Sequence, residues 1–525
     1  MRRFLLIGLD GLEPTLARRW MEAGRLPNLA ALAASGGFVP CASTTPHATF
    51  PAWTTCVTGV NPGRHGVFDF TRMKEGEYGI SFTNATQRRA PALWNVLSDA
   101  GAKVGVLGVP ATFPPEPVNG FMVSGFDSPV STAVSREFVY PESLYPRVKD
   151  WRFADFQETR IGPGWHARAL PKLLDGVATK ERIALDLIAT ESPDFLMMVF
   201  GESDTVSHHF WLFHDPDSPR HQPGFETAIQ EVYERLDAAV GRLMDAFGDA
   251  LVGVVSDHGF GGAGTGVVHL NNWLAEHDYL SFDESAAASS PLKKLALAAV
   301  PARWQGALFR KLSGMAAKAE SGSRFGGIEW EKTRAYSEEL NYFPSVRVNL
   351  KGREPEGVVE PEDYDAFVSD LCAELEAWEC VDKAHPRAAI YDGPHVERAP
   401  DIVLELALEN GYSHSCLRAR GGPSFRRIGP DEHLGGKERG MNGNHRKEGV
   451  LLLSQQFESD GVSLLDVAPT VLAAMGVPAP AMEGRSLIGG ETVGGSTAAL
   501  REEAAYSPEE EQEIEDRLRA LGYLE

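Results

Sequence analysis

The sequence predicts an α/β fold on a largely parallel sheet, and three observations carry that expectation. Phe4–Leu9 is an unbroken apolar run that stops at Asp10-Gly11, the mark of a strand buried on both faces. Phe195–Phe200 and Leu251–Ser256 are runs of the same kind, each followed at once by polar residues. Segments with helical spacing separate the runs, and alternation of this sort builds parallel sheets. Ligands of open α/β sheets gather at the carboxyl ends of strands, so the residues that close these runs are the ones to inspect.

Taken in order, helices are expected at Glu13–Ala23, Asn28–Ser35 and Pro91–Ala100, and strands at Lys103–Leu107 and Phe121–Ser124. Ser135–Gly164 is rich in Pro, Arg and aromatics without a period and reads as a surface excursion. Arg168–Glu191 is helical, and Phe225–Phe247 is the strongest helix, with Phe225, Ile229, Val232, Leu236, Val240, Leu243 and Phe247 on one stripe. Between about Asn271 and Pro400 the alternation weakens. There Ala286–Ala319 is alanine-rich, Val346–Leu350 reads as a short strand and Tyr364–Trp378 as an amphipathic helix. Strands resume at Ile402–Leu406 and Gly449–Leu453, followed by a helix at Ser463–Met475, a linker near Gly489–Ser496 and an acidic helix at Pro508–Leu521. The expected organisation is a core of 1–270 and 401–488, an insertion of 271–400 covering the site, and a linker with terminal helix at 489–525.

The chain has 525 residues, too many for one ordinary domain without an insertion. Its net charge of −23 argues against a nucleic-acid duplex or an anionic membrane surface as partner. A phosphorylated small molecule stays admissible, because bound divalent cations reverse the local field. The five cysteines are scattered and form no C-x-x-C pair, which points to reduced thiols and a cytoplasmic setting. The start, MRRFLLIGLDG, is too short in apolar length for a signal peptide, and no membrane span is expected.

Four polar groups stand out. Asp10 closes the first strand. Asp204 and His208 are four apart, which on one helical turn places both on one face, able to share a metal. Asp257-His258 follows a buried strand directly, and His445 lies in a loop just before another strand. Asp and His together suit Zn²⁺, with Mn²⁺ or Fe²⁺ as alternatives. Singly, the Asp-x-x-x-His pair reads as a solvated salt bridge more readily than as a metal site. Thr49, before Phe50-Pro51 and a helical stretch, would alone read as an N-cap. A hydroxyl at a helix mouth also lies near unpaired N–H groups that favour an anion, and with the Asp/His groups Thr49 becomes the candidate nucleophile. His209 is either a donor behind the site or an ordinary packed histidine. His47 and His65 read as structural, and Arg353 in KGREPE reads as part of a solvated turn more readily than as a group offered to a substrate.

The stretches IGLDGLEP, ATFPAWTTCVTGVNPGRHGVFDF, ESDTVSHHFW, VVSDHGF, NHRKEGVLLLS and LLDVAPTVLAAMGVPAPAMEGRSL resemble the alkaline phosphatase superfamily, most closely its type I phosphodiesterase/nucleotide pyrophosphatase branch. The resemblance implies a three-layer α/β/α core with a largely parallel central sheet and an inserted cap region. It also implies two divalent ions, Zn²⁺ with Mn²⁺ possible among relatives. One would be held by Asp204, His208 and His445, the other by Asp10, Asp257 and His258, with Thr49 between them as a further metal ligand and forming a phospho-threonine intermediate. Departures narrow the activity. Thr49 stands where sulfatases carry the residue converted to formylglycine, and Trp53 replaces their arginine. Asp69-Phe70 stands where nucleotide pyrophosphatases place an Asn, which weakens a nucleotide-specific reading. The expectation is a phosphodiesterase. Its rivals are a phosphomonoesterase, phosphonate hydrolase or phosphotransferase on the same site, and a non-catalytic scaffold that keeps the fold.

Overall fold

A computed structural model describes residues 1–125, 134–153, 161–283, 325–339, 343–434 and 441–489. The Ala286–Ala319 stretch, the Pro508–Leu521 helix and all but the first residue of the Gly489–Ser496 linker lie outside these residues.

Eight strands form the central sheet: β1 Phe4–Leu9, β2 Gly37–Ala42, β3 Val104–Leu107, β4 Gly120–Val123, β5 Val139–Tyr140, β6 Phe195–Phe200, β7 Leu251–Val255 and β8 Glu448–Leu453. Their spatial order is β2-β8-β7-β1-β6-β3-β4-β5. From β7 to β4 the pairings are parallel, whereas β8 and β5 run antiparallel to their neighbours. Phe4 is in register with both Phe195 and Leu251, so β6, β1 and β7 end side by side. The largely parallel α/β sheet expected from the apolar runs is the one observed.

The pleat of β1 sorts its side chains into two cores. Leu5, Ile7 and Leu9 face the helices Pro14–Glu22, Pro27–Ser35, Trp165–Glu191, Glu202–His214 and Ala228–Phe247. Phe4 and Leu6 face Thr49–Thr58, Leu93–Asp99 and Val467–Met475. Both faces are covered, which is why β1 reads as a continuous apolar run and not as an alternation. The result is a three-layer α/β/α core.

A second body of sheet adjoins the carboxyl ends of these strands. Gly259–Val268 pairs in parallel with Tyr412–Cys416 and antiparallel with Phe425–Arg427 and Gly443–Arg446. A four-stranded antiparallel sheet of Ala335–Tyr336, Ser345–Val348, Ile402–Leu406 and Val381–Pro386 lies beyond it. The helix Tyr364–Glu376 packs on it through Val368, Leu371 and Leu375.

Three local expectations are corrected. Ser135–Gly164 is more than a surface excursion, because it supplies edge strand β5 and buries Phe138, Val148, Trp151 and Phe153 in the core. Phe138, Trp151 and Phe153 lie outside any long helix or strand, so their burial leaves no period. Arg353 is not in a solvated turn: its guanidinium pairs with the buried Asp401 carboxylate at 2.6 and 2.7 Å. His445 is not in a loop but inside the Gly443–Arg446 strand, opposite Phe260. All five cysteines are unpaired and buried. Among the described residues no helix is long and apolar enough to cross a membrane.

Candidate active site

The first cluster grows from the ends of β1 and β7. Asp10 continues β1, its amide donating to the Phe200 carbonyl at 3.0 Å. The Trp53 indole N–H donates to Asp10 Oδ2 at 2.9 Å. Trp53 can reach it because Gly8 has no side chain: a Cβ there would lie 2.4 Å from the indole ring. Asp257 Oδ1 accepts the Gly11 amide at 3.2 Å. Ser256 Oγ accepts from the Leu12 amide and donates to the His258 carbonyl, fixing the turn after β7. His258 Nδ1 faces the Gly259 carbonyl at 3.0 Å, which makes Nδ1 the protonated nitrogen and leaves the Nε2 lone pair inward. Nε2 then lies 3.4 Å from both Asp10 Oδ1 and Asp257 Oδ2.

The second cluster joins a helix to the neighbouring sheet. Asp204 and His208 share one face of Glu202–His214, as their spacing requires. His445 comes from the strand paired with Gly259–Val268. His208 Nδ1 donates to the Gly443 carbonyl at 2.9 Å, and His445 Nδ1 to the His47 carbonyl at 3.0 Å. Gly443 allows this approach, since a Cβ there would sit 2.3 Å from the Ser207 carbonyl oxygen. With both Nδ1 atoms donating, the two Nε2 lone pairs face each other at 3.0 Å, and each is 3.3 Å from Asp204 Oδ1. Asp204 Oδ1 is also 3.9 Å from His258 Nε2, so the clusters abut.

Such an arrangement of acceptors against acceptors is costly unless a cation lies among them. Asp10 Oδ1, Asp204 Oδ1, Asp257 Oδ2 and His258 Nε2 are buried and make no hydrogen bond among the described residues. Asp204, His208 and His445, and likewise Asp10, Asp257 and His258, bring one ligand atom each to within 4.8 Å of one another. The electrostatics agree. Burial and the neighbouring Asp10 push the Asp257 carboxyl up. Burial alone would lower His258, but Asp257 and Asp10 hold it at about 10. Both shifts report the negative field of three carboxylates crowded together, which a cation among them would offset.

Thr49 opens the helix Thr49–Thr58 and is buried. It is not an N-cap, because Ala48 occupies that position. Its neighbours tie this helix start to both clusters: the His47 carbonyl to His445 two residues before, and the Trp53 indole to Asp10 four residues after. His65 accepts the Val67 amide at Nδ1 and meets Thr55 Oγ1 through Nε2, a structural role as expected. His209 packs its ring against Trp165, and its carbonyl meets His166 Nε2. Phe70, beside Asp69, packs its ring 4.5 Å from that of Phe50, next to Thr49. Sequence reasoning missed the supporting roles of Trp53 and of the Gly443 and His47 carbonyls. Only Trp53 left a signal, a helical turn beyond Thr49.

The sheet with its two covered faces has an alkaline phosphatase-like fold, and the sequence match puts the chain in an enzyme class, hydrolases of phosphoric ester bonds. Within it, the chain belongs to the type I phosphodiesterase/nucleotide pyrophosphatase family, whose model matches residues 4–418. Among solved structures, phosphonoacetate hydrolase from Sinorhizobium meliloti 1021 in complex with phosphonoformate is similar at 16% identity and a TM-score of 0.52, covering 91% of this chain and 96% of that one. Human ectonucleotide pyrophosphatase/phosphodiesterase 5 is similar at 12% identity and a TM-score of 0.50, covering 92% and 97%. At these identities the likeness is one of fold. No curated protein matches the chain in sequence.

Proposed function

We propose that the protein is a two-metal phosphodiesterase, nucleotide pyrophosphatase-like, that works through a phospho-threonine intermediate on Thr49. Asp204, His208 and His445 would hold one divalent ion and Asp10, Asp257 and His258 the other, Zn²⁺ in both with Mn²⁺ as alternative. The observation that carries this reading is the convergence of buried ligand atoms without hydrogen bonds, beside histidines whose other nitrogen is tied to a main-chain carbonyl. That is the donor set and outer support of a metal site. Bound there, two cations supply the positive charge that makes a threonine alkoxide accessible and offsets charge on the transferring phosphoryl group.

The chain's own residues account for the rest. The Thr49 oxygen attacks phosphorus, the bond from phosphorus to the leaving alcohol oxygen breaks, and that oxygen takes up a proton. Water then attacks phospho-Thr49, releasing the phosphorylated product and restoring the hydroxyl. Trp53 holds Asp10 in one rotamer, and the three imidazoles keep one tautomer through their carbonyl partners. The 271–400 insertion serves as the cap: Phe343 packs against His47 with ring centroids 4.2 Å apart. The five buried free thiols support a cytoplasmic setting, with a small phosphorylated molecule as substrate.

The test is elemental analysis together with turnover of bis-p-nitrophenyl phosphate, p-nitrophenyl phosphate and a phosphonate by Zn²⁺- and Mn²⁺-loaded protein. Close to two ions per chain and highest kcat/KM on the diester are expected. Preference for the monoester or phosphonate would reassign the substrate, and protein without bound metal or turnover would leave only the scaffold.

A further inference from the structure

We propose that His47 orients the substrate, its Nδ1–H donating a hydrogen bond to a non-bridging oxygen of the phosphoryl group attacked by Thr49. This rests on the reading of Thr49 and the six ligands given above. His47 lies two residues before Thr49, and its carbonyl accepts from His445 Nδ1 at 3.0 Å, which fixes its backbone at the edge of the second cluster. Its ring is held edge-on to Phe343, with centroids 4.2 Å apart at 73°.

Nδ1 of this ring is buried and has no hydrogen-bond partner among the described residues. Buried polar atoms are seldom left so, and among the others in the same condition are the inward-facing atoms of Asp10, Asp204, Asp257 and His258. His47 is not needed as a seventh ligand, because each cluster already offers three. The basic residues Arg446 and Lys447 directly follow His445, whose ring meets the His47 carbonyl. An N–H in that company finds its acceptor on an incoming anion, and the nearest chemistry calling for one is phosphoryl transfer. Its geometry is that of a group fixed before the substrate arrives, the condition under which a donor stabilises developing charge without rearranging.

The experiment exploits the fact that any substitution preserves the main-chain carbonyl to His445. His47→Phe keeps a ring against Phe343 but removes the donor. His47→Asn places an amide nitrogen where Nδ1 was, whereas His47→Gln places one further out. Metal content, melting temperature, kcat/KM on bis-p-nitrophenyl phosphate and inhibition by inorganic phosphate are measured for each.

The expected result for His47→Phe is an unchanged metal content, kcat/KM lower by about 10- to 100-fold and weaker phosphate inhibition. His47→Asn should recover most of the loss and His47→Gln should not. Full kcat/KM in His47→Phe, loss of metal along with activity, or equal recovery by Asn and Gln would each overturn the proposal. If His47→Phe fails to fold, the contrast between Asn and Gln decides alone. A wild-type protein without metal or turnover would instead mark the failure of the underlying two-metal reading.

Discussion

The two ligand clusters are alike in chemistry and unlike in construction. Asp10, Asp257 and His258 sit at the ends of adjacent parallel strands, with side chains 0–4% exposed. They come into place once the central sheet forms. Asp204 and His208 lie on a helix and His445 on a strand of the neighbouring sheet, and the Asp204 side chain is 20% exposed. That cluster exists only when two sheets and a helix dock. The difference teaches that one half of the site is a property of the core, whereas the other half reports on how the second body of sheet is seated.

Thr49, tied to both clusters through its neighbours, offers the largest effect. Thr49→Ala should lower turnover by about 10³-fold or more while metal content stays at the wild-type level. Metal loss in this variant would break the idea that the clusters form without it.

The contrast itself is sharpened by chelation. The metal remaining against time should fall in two phases, the faster from the more exposed Asp204 cluster. Asp204→Asn should weaken one ion by about 100-fold or more and leave the other in place. A single phase, or loss of both ions together, would dissolve the distinction.

A smaller effect is expected inside the first cluster. Trp53→Phe removes the donor to Asp10 but keeps the packing over Gly8, so affinity for the corresponding ion should drop by about tenfold, read by competition with a chromogenic chelator.

The smallest expected effect lies away from both clusters, at Asp401 in the four-stranded sheet. Burial would raise this carboxyl, but Arg353 and Arg387 pull it below its ordinary 3.8. Its stabilisation is therefore present above the unfolded-state value and is lost as pH falls through the folded one. In the acid range Asp401→Asn should remove up to about 1.4 kcal/mol per pH unit from the slope of stability against pH. Its metal content and neutral-pH turnover should be those of the wild type. Chemical denaturation at pH 3–7 checks this.

How much could be read from the chain follows the same division. β1 and β7 are apolar on both faces and end abruptly in Asp10 and Asp257-His258, so strand, strand end and polar residues were all visible. The Asp204–His208 spacing was visible too, because a helix repeats within a few residues. The Gly443–Arg446 strand was not, for it is short, polar and held by pairing with Gly259–Val268. That partner, GFGGAGTGVV, is half glycine and carries no strand alternation. Its glycines answer to close neighbours, such as the Arg446 guanidinium beside Gly261, and no local pattern records contacts made across nearly two hundred residues. Arg353 was misjudged for a related reason, since Asp401, its partner, is 48 positions away.

Each of the three imidazoles leans on an oxygen of the polypeptide backbone, at Gly443, Gly259 or His47. At His47 such an oxygen persists whatever amino acid occupies the position, whereas Gly443 and Gly259 leave no room for a side chain beside the Ser207 and Glu448 carbonyl oxygens. Variation at the mouth of the cleft can thus reshape what is admitted without unseating the histidines. A lineage, or a laboratory selection, is free to explore new ester partners while the ion-holding frame stays put.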